Sequence, residues 1–148
     1  MSPSMSHRLV PLQQIADSRE DEAARRLIDV QRQVAERETR LQELIDYRSE
    51  YEQRRVGSTP QLLMNARQFI ARLREAEAFQ RQLVEQARQE LATERGRWLS
   101  RRREVGTLEQ LAEIYRERER RMEARRAQNG MDEHASRQHQ LRAAGQAC

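Results

Sequence analysis

The chain has 148 residues, of which 35% are charged, 36% apolar and only 4% aromatic, with a net charge of +4. So little apolar material excludes a thick globular core and suits a two-helix seam, which needs two apolar positions in seven. Every one of the 28 basic residues is Arg, and 24 acidic residues are mixed among them, which argues against the segregated positive stripe of a nucleic-acid binder.

Residues 1–7 read as loose. Leu9, Leu12 and Ile15 begin the apolar pattern, and Pro11 fits a first helical turn. A first helix is expected over about 8–55. With Leu27, Val34 and Leu41 at a positions, the d positions are Ala16, Ala23, Val30, Arg37, Leu44 and Tyr51, with Arg37 the one charged intruder. Acid-first pairs four apart, such as Glu22 with Arg26, Glu77 with Arg81 and Glu117 with Arg121, support a solvated helix surface at about 0.2–0.5 kcal/mol each.

Residues 56–60, Val-Gly-Ser-Thr-Pro, form the turn. Gly57 can end a helix in the left-handed conformation. The next helix is capped either by Thr59, with Pro60 at its first position, or by Ser58 paired with Gln61. So short a link joins antiparallel helices. The second helix is expected over about 60–128. Its stripe runs through Leu62, Ala66, Phe69, Leu73, Ala76, Gln80, Leu83, Ala87 and Leu91. The step of four from Ala87 to Leu91, following another four, reads as a stutter. Beyond it the stripe passes through Trp98, Val105 and Ala112. Asn129-Gly130 reads as a stop, leaving a short or disordered tail over 129–148.

Folded back from the turn, helix one runs out opposite about residue 106. The segment from about 107 to 128 then overhangs with Leu108, Leu111, Ile114 and Tyr115 on it, and an apolar stripe without an internal partner points to binding. Near the turn, Leu44 with Ile45 and Phe69 with Ile70 exceed what one seam holds, since neighbouring helical residues lie about 100° apart. The surplus is either a wider core, a dimer seam or a site for another protein.

Chemistry is hard to place on this chain. No phosphate loop, nucleophile elbow or carboxylate pair set in a pocket is present, so neither an enzyme nor a cofactor is expected. His134, His139 and Cys148 match no closed zinc site. The arginines around Trp98, from Arg95 to Arg103, read as a solvated face rather than a nucleic-acid or lipid patch, because Glu94 and Glu104 flank them. One cysteine allows no disulfide framework, no apolar run approaches the ~20 residues that span a bilayer, and the N-terminus lacks a signal-peptide core, so a cytoplasmic protein is expected.

The runs Leu44-Ile-Asp-Tyr-Arg-Ser-Glu-Tyr51 and Gln68-Phe-Ile-Ala-Arg-Leu73, with Asp21-Glu-Ala-Ala-Arg-Arg-Leu27, Trp98-Leu-Ser-Arg-Arg-Arg103 and Met131-Asp-Glu-His-Ala-Ser-Arg137, resemble the FliJ family of bacterial flagellar export proteins. The resemblance spans nearly the whole chain in the family's order. It implies an antiparallel coiled coil that inserts into the export ATPase ring, promotes its assembly, contacts the membrane export gate and escorts export chaperones. It implies a monomer when free, in the cytoplasm and peripherally at the inner membrane. The family's gate-binding surface maps onto Arg40, Leu44, Tyr47, Tyr51, Phe69, Leu73, Ala76 and Gln80, with Arg40, Gln80 and His134 departing from the family's side chains. Leu108, Leu111, Ile114 and Tyr115 would then face the ATPase ring. The rival readings are a generic coiled-coil scaffold and the stalk of a virulence-type secretion system.

Overall fold

The computed structural model describes residues 3–54 and 59–146. They form two long helices, α1 (Met5–Gln53) and α2 (Pro60–Gln146), packed against each other as a helical hairpin. The Val56-Gly57-Ser58 part of the predicted turn, and Cys148, lie outside the described residues. On the α2 side of the turn, Leu62 N donates to Thr59 Oγ1 at 3.4 Å and Leu63 N to Thr59 O at 3.1 Å. Thr59 therefore caps α2, and Pro60 takes the first helical position, where its missing N–H costs nothing.

By packing, the described residues fall into two units. One comprises the residues up to Asp17 with those from Arg103 onward, and the other is Ser18–Arg102. Within Ser18–Arg102 the helices run antiparallel: Glu52, Arg48, Glu38 and Glu20 on α1 meet Arg74, Glu77, Arg88 and Trp98 on α2, one number falling as the other rises. On α1 the inward residues are those the heptad predicts: Ala23 and Val34 are buried, and Leu27, Val30, Arg37, Leu41, Leu44 and Tyr51 are partly so.

On α2 the seam differs from the sequence-based expectation. Its inward residues are Leu73, Glu77, Gln80, Val84, Ala87, Leu91, Glu94 and Trp98. Val84, not Leu83, is the deeply buried one, at 3% exposed, and Ala76 is exposed. Steps of four and three alternate without a break, so the stutter expected between Ala87 and Leu91 is absent. The cause is Glu77. Polarity argued against placing it inward, but Arg48 bonds it from α1, and a buried charge is tolerated when paired. Gln80 is held similarly, its Nε2 donating to Arg37 O at 3.2 Å.

The other unit also differs from expectation. α1 starts at Met5, three residues earlier than expected, capped by Ser4, whose Oγ accepts from His7 N at 3.2 Å. Pro11 consequently lies in the second turn rather than the first. Leu9, Ala16, Val105 and Ala112 are buried, Ala112 completely, while Leu12 and Ile15 are exposed. Helix one thus still accompanies α2 at Ala112, and the segment expected to overhang from 107 is partnered over its first part. The overhang begins after Glu119: every described residue from Arg120 to Gln146 is exposed. α2 also passes through Asn129-Gly130 instead of stopping. Gly130 costs about 1 kcal/mol relative to Ala, but the residues on both sides are mostly good helix formers, and Gln128 bonds Asp132 across the glycine at 3.2 Å. The expected tail is therefore helical as far as Gln146.

Candidate partner-binding site

The surface near the turn is built on an ionic layer and an aromatic layer. Arg48, one turn from the end of α1, bonds Glu77 of α2 and, at 3.1 Å, Glu52 of its own helix. Arg74 reaches back to Glu52 at 3.2 Å. The bond to Glu77, then that to Glu52, raises the affinity of the Arg48 guanidinium for its proton. Desolvation works against ionisation of Glu52, but Arg48 and Arg74 outweigh it and hold the carboxyl below its ordinary range. This network ties the helix ends together.

Beside it stand three rings. Phe69 packs against Tyr51 at 4.7 Å between centroids, tilted by 57°, and edge-on against Tyr47 at 6.2 Å and 81°. Such pairs add about 0.5–1.5 kcal/mol beyond their burial. Tyr47 nevertheless remains 51% exposed. Of the eight residues mapped here from the sequence, Arg40, Tyr47 and Ala76 are exposed and Leu44, Tyr51 and Phe69 are partly exposed. Leu73 and Gln80 are turned into the seam, at 9% and 8% exposed. The surplus apolar pairs do not divide into an inner and an outer set: Leu44, Ile45, Phe69 and Ile70 are all partly buried, so the seam widens here and leaves Tyr47 as its most exposed edge.

The second candidate lies on the part of α2 before the overhang. Leu108, Leu111 and Tyr115 are partly buried, and Ile114 is exposed. Leu108 and Tyr115 continue the inward spacing of Val105 and Ala112, whereas Leu111 and Ile114 are off it. Arg118 lies over the Tyr115 ring at 5.8 Å. One turn further, Glu119 receives Ser6 of α1 twice, from the hydroxyl at 2.7 Å and from the backbone N–H at 3.1 Å. The hydroxyl bond first, and the backbone bond second, hold its carboxyl below the ordinary glutamate range. Glu119 thus supplies an acceptor and a negative charge to the N-terminal turn of α1. Sequence reasoning missed this contact. Its one signal was an acidic side chain at the inward step following Tyr115.

Other polar side chains are engaged within the chain. Trp98 Nε1 donates to Glu20 Oε1 at 3.0 Å, with Arg102 3.9 Å from the same oxygen. His134 bonds Gln138 on its own helix at 3.1 Å. Among the described residues, no group of three His, Cys, Asp or Glu side chains is placed to hold a metal ion, and no helix is long and apolar enough to cross a membrane. The depressions along the seam are open grooves, one of them lined by Arg19, Arg26, Glu94 and Arg97. What this arrangement offers is helix faces that carry exposed aromatic, aliphatic and charged side chains.

The family model described as "Flagellar FliJ protein" matches residues 5–144. No curated protein matches the chain, and no solved structure does.

Proposed function

This chain belongs to the FliJ family, a non-enzymatic part of flagellar protein export, and on that premise we propose that it is a stalk-like adaptor of the export apparatus. The exposed end of α2 enters the export ATPase ring and promotes its assembly. The aromatic surface near the turn contacts the cytoplasmic part of the membrane export gate, and the chain escorts export chaperones between them. It is a monomer when free and sits peripherally at the inner membrane when engaged.

The observation that carries this reading is the overhang. From Arg120 to Gln146 α2 continues as a helix with no buried residue, roughly 40 Å at about 1.5 Å per residue. Helices in proteins draw most of their stability from packing against a partner rather than from propensity, and this stretch has no such packing within the chain. Leu111 and Ile114, outside the inward spacing, and Met122 and Met131 beyond them offer that partner apolar contact; Leu108 and Tyr115 support the face from beneath. At the gate, Tyr47, Tyr51, Phe69, Leu44, Ala76 and Arg40 make the contacts, with Leu73 and Gln80 fixing the backbone below them. The chemistry belongs to the ATPase. A stalk alters it only by binding one state of the ring more tightly than another.

The test is ATP hydrolysis by the purified flagellar export ATPase of the same organism, with hexamer formation followed in parallel. The full chain should stimulate both, and the chain truncated after Glu119 should not. Equal stimulation by the truncated chain would move the contact off the overhang. No effect of the full chain at saturation would refute the ATPase part of the reading.

A further inference from the structure

The turn end of the hairpin differs in charge from the rest of the molecule. From Gln53 to Arg74 the sequence holds no Asp or Glu and five arginines, Arg54, Arg55, Arg67, Arg72 and Arg74, in a chain with 24 acidic residues among 148. Arg74 is engaged by Glu52 at 3.2 Å. Arg54, Arg67 and Arg72 are exposed. In the same stretch Leu62, Leu63 and Met64 are 43%, 48% and 61% exposed, although all three lie in the first two turns of α2.

Three consecutive residues of a helix lie about 100° apart, so these side chains fan over about 200° of its circumference. A protein groove reads a helix through one face, at spacings of three, four and seven. Apolar side chains pointing in several directions from a helix end can all leave water together in a medium that closes around them, as the apolar edge of a bilayer does, because the hydrophobic effect is non-directional. Arg67 follows Leu63 and Met64 by one turn. Its long stem can lie along apolar surface while the guanidinium reaches a phosphate, which its planar fork binds in two places. The missing carboxylates matter equally, because each would be repelled by an anionic surface.

We propose that the turn end of the hairpin docks on an anionic lipid surface, through Leu62, Leu63 and Met64 with Arg54, Arg67 and Arg72. The membrane part of the proposed function supplies its cellular setting only. The docking itself needs nothing but this chain and lipid.

The experiment is co-sedimentation of the full chain with vesicles of equal parts phosphatidylglycerol and phosphatidylcholine, and with pure phosphatidylcholine vesicles, at low and high salt. The chain should bind the anionic vesicles, release with salt, and ignore the neutral ones. Arg54→Gln, Arg67→Gln and Arg72→Gln should each weaken binding roughly fivefold, and Arg67→Lys should restore most of the loss at that position. Leu62→Gln, Leu63→Gln and Met64→Gln together should weaken it roughly tenfold or more, with the helical circular-dichroism signal unchanged. Equal binding to neutral vesicles, no binding to either, or indifference to these substitutions would overturn the proposal. Loss of binding to the gate's cytoplasmic domain in the triple variant, without any lipid binding, would assign the patch to a protein instead. Stimulation of the ATPase by the same variants is expected to persist, so failure here and failure of the ATPase reading are told apart.

Discussion

Ala112→Leu tests whether α1 accompanies α2 as far as the structure shows. Ala112 is 0% exposed. In the antiparallel register set by Ser6 and Glu119, it lies about opposite Gln13. Leucine there adds three carbon atoms where no accessible space exists, and overpacking of that kind costs about 1–3 kcal/mol. A cost near 2 kcal/mol corresponds to roughly thirtyfold faster exchange for amides whose protection depends on this packing. Native-state hydrogen exchange should therefore show α1 amides around Leu9 and Gln13 losing protection by about that factor. Amides near Val34, in the other packing unit, should change little. Ala127→Leu, on the exposed part of α2, is the control and should stay within about 0.5 kcal/mol. Had helix one run out before this point, Ala112→Leu would be neutral. Unchanged or increased protection in that variant would refute the packing described here.

Four further outcomes are expected. Glu119→Ala should fray the first turns of α1, seen as faster proteolysis there. Because the folded carboxyl titrates below its ordinary value of about 4.3, its contribution is present above that value and is lost as pH falls through the lower folded one. A wild-type start to α1 that tightened on acidification would contradict this. Pro11→Ala should slow exchange in the same turns by restoring a donor for His7 O, a gain of up to about 3 kcal/mol locally; no change would mean the first turns are not held as a helix. Val84→Ala should cost about 2 kcal/mol, from two lost carbon groups plus the void they leave, and lower a thermal midpoint by about 4–8 °C. A cost below about 0.5 kcal/mol would remove Val84 from the seam. Tyr47→Ala with Phe69→Ala should weaken binding of the export gate's cytoplasmic domain while keeping helicity, and collapse of the helical signal would make those rings core instead.

The hairpin was legible because its information is local and repeated. Leu27, Val34 and Leu41 set the heptad of α1, and Thr59-Pro60 marked the start of α2. The register of α2 was less legible. Between Leu73 and Ala87 two stripes compete, Ala76 with Leu83 and Glu77 with Val84. Apolarity favours the first, and only the position of Arg48 across the seam, a tertiary fact, selects the second. The extent of the overhang was misjudged for related reasons. Pro11 and Asn129-Gly130 are breakers by propensity, yet a penalty of about 1–3 kcal/mol is small beside the continuity of a long helix. Of the eight residues near the turn, the aromatic trio could be anticipated from its spacing, whereas the burial of Leu73 and Gln80 depended on that same register.

The most direct test of the stalk reading is site-specific photo-crosslinking from Met131, on the exposed end of α2, in the presence of the assembled export ATPase and the gate's cytoplasmic domain. An adduct with the ATPase subunit is expected from Met131, together with an adduct to the gate domain from Tyr47. An ATPase adduct from Tyr47 with none from Met131 would contradict the account, because the ring would then hold the turn end and not the overhang.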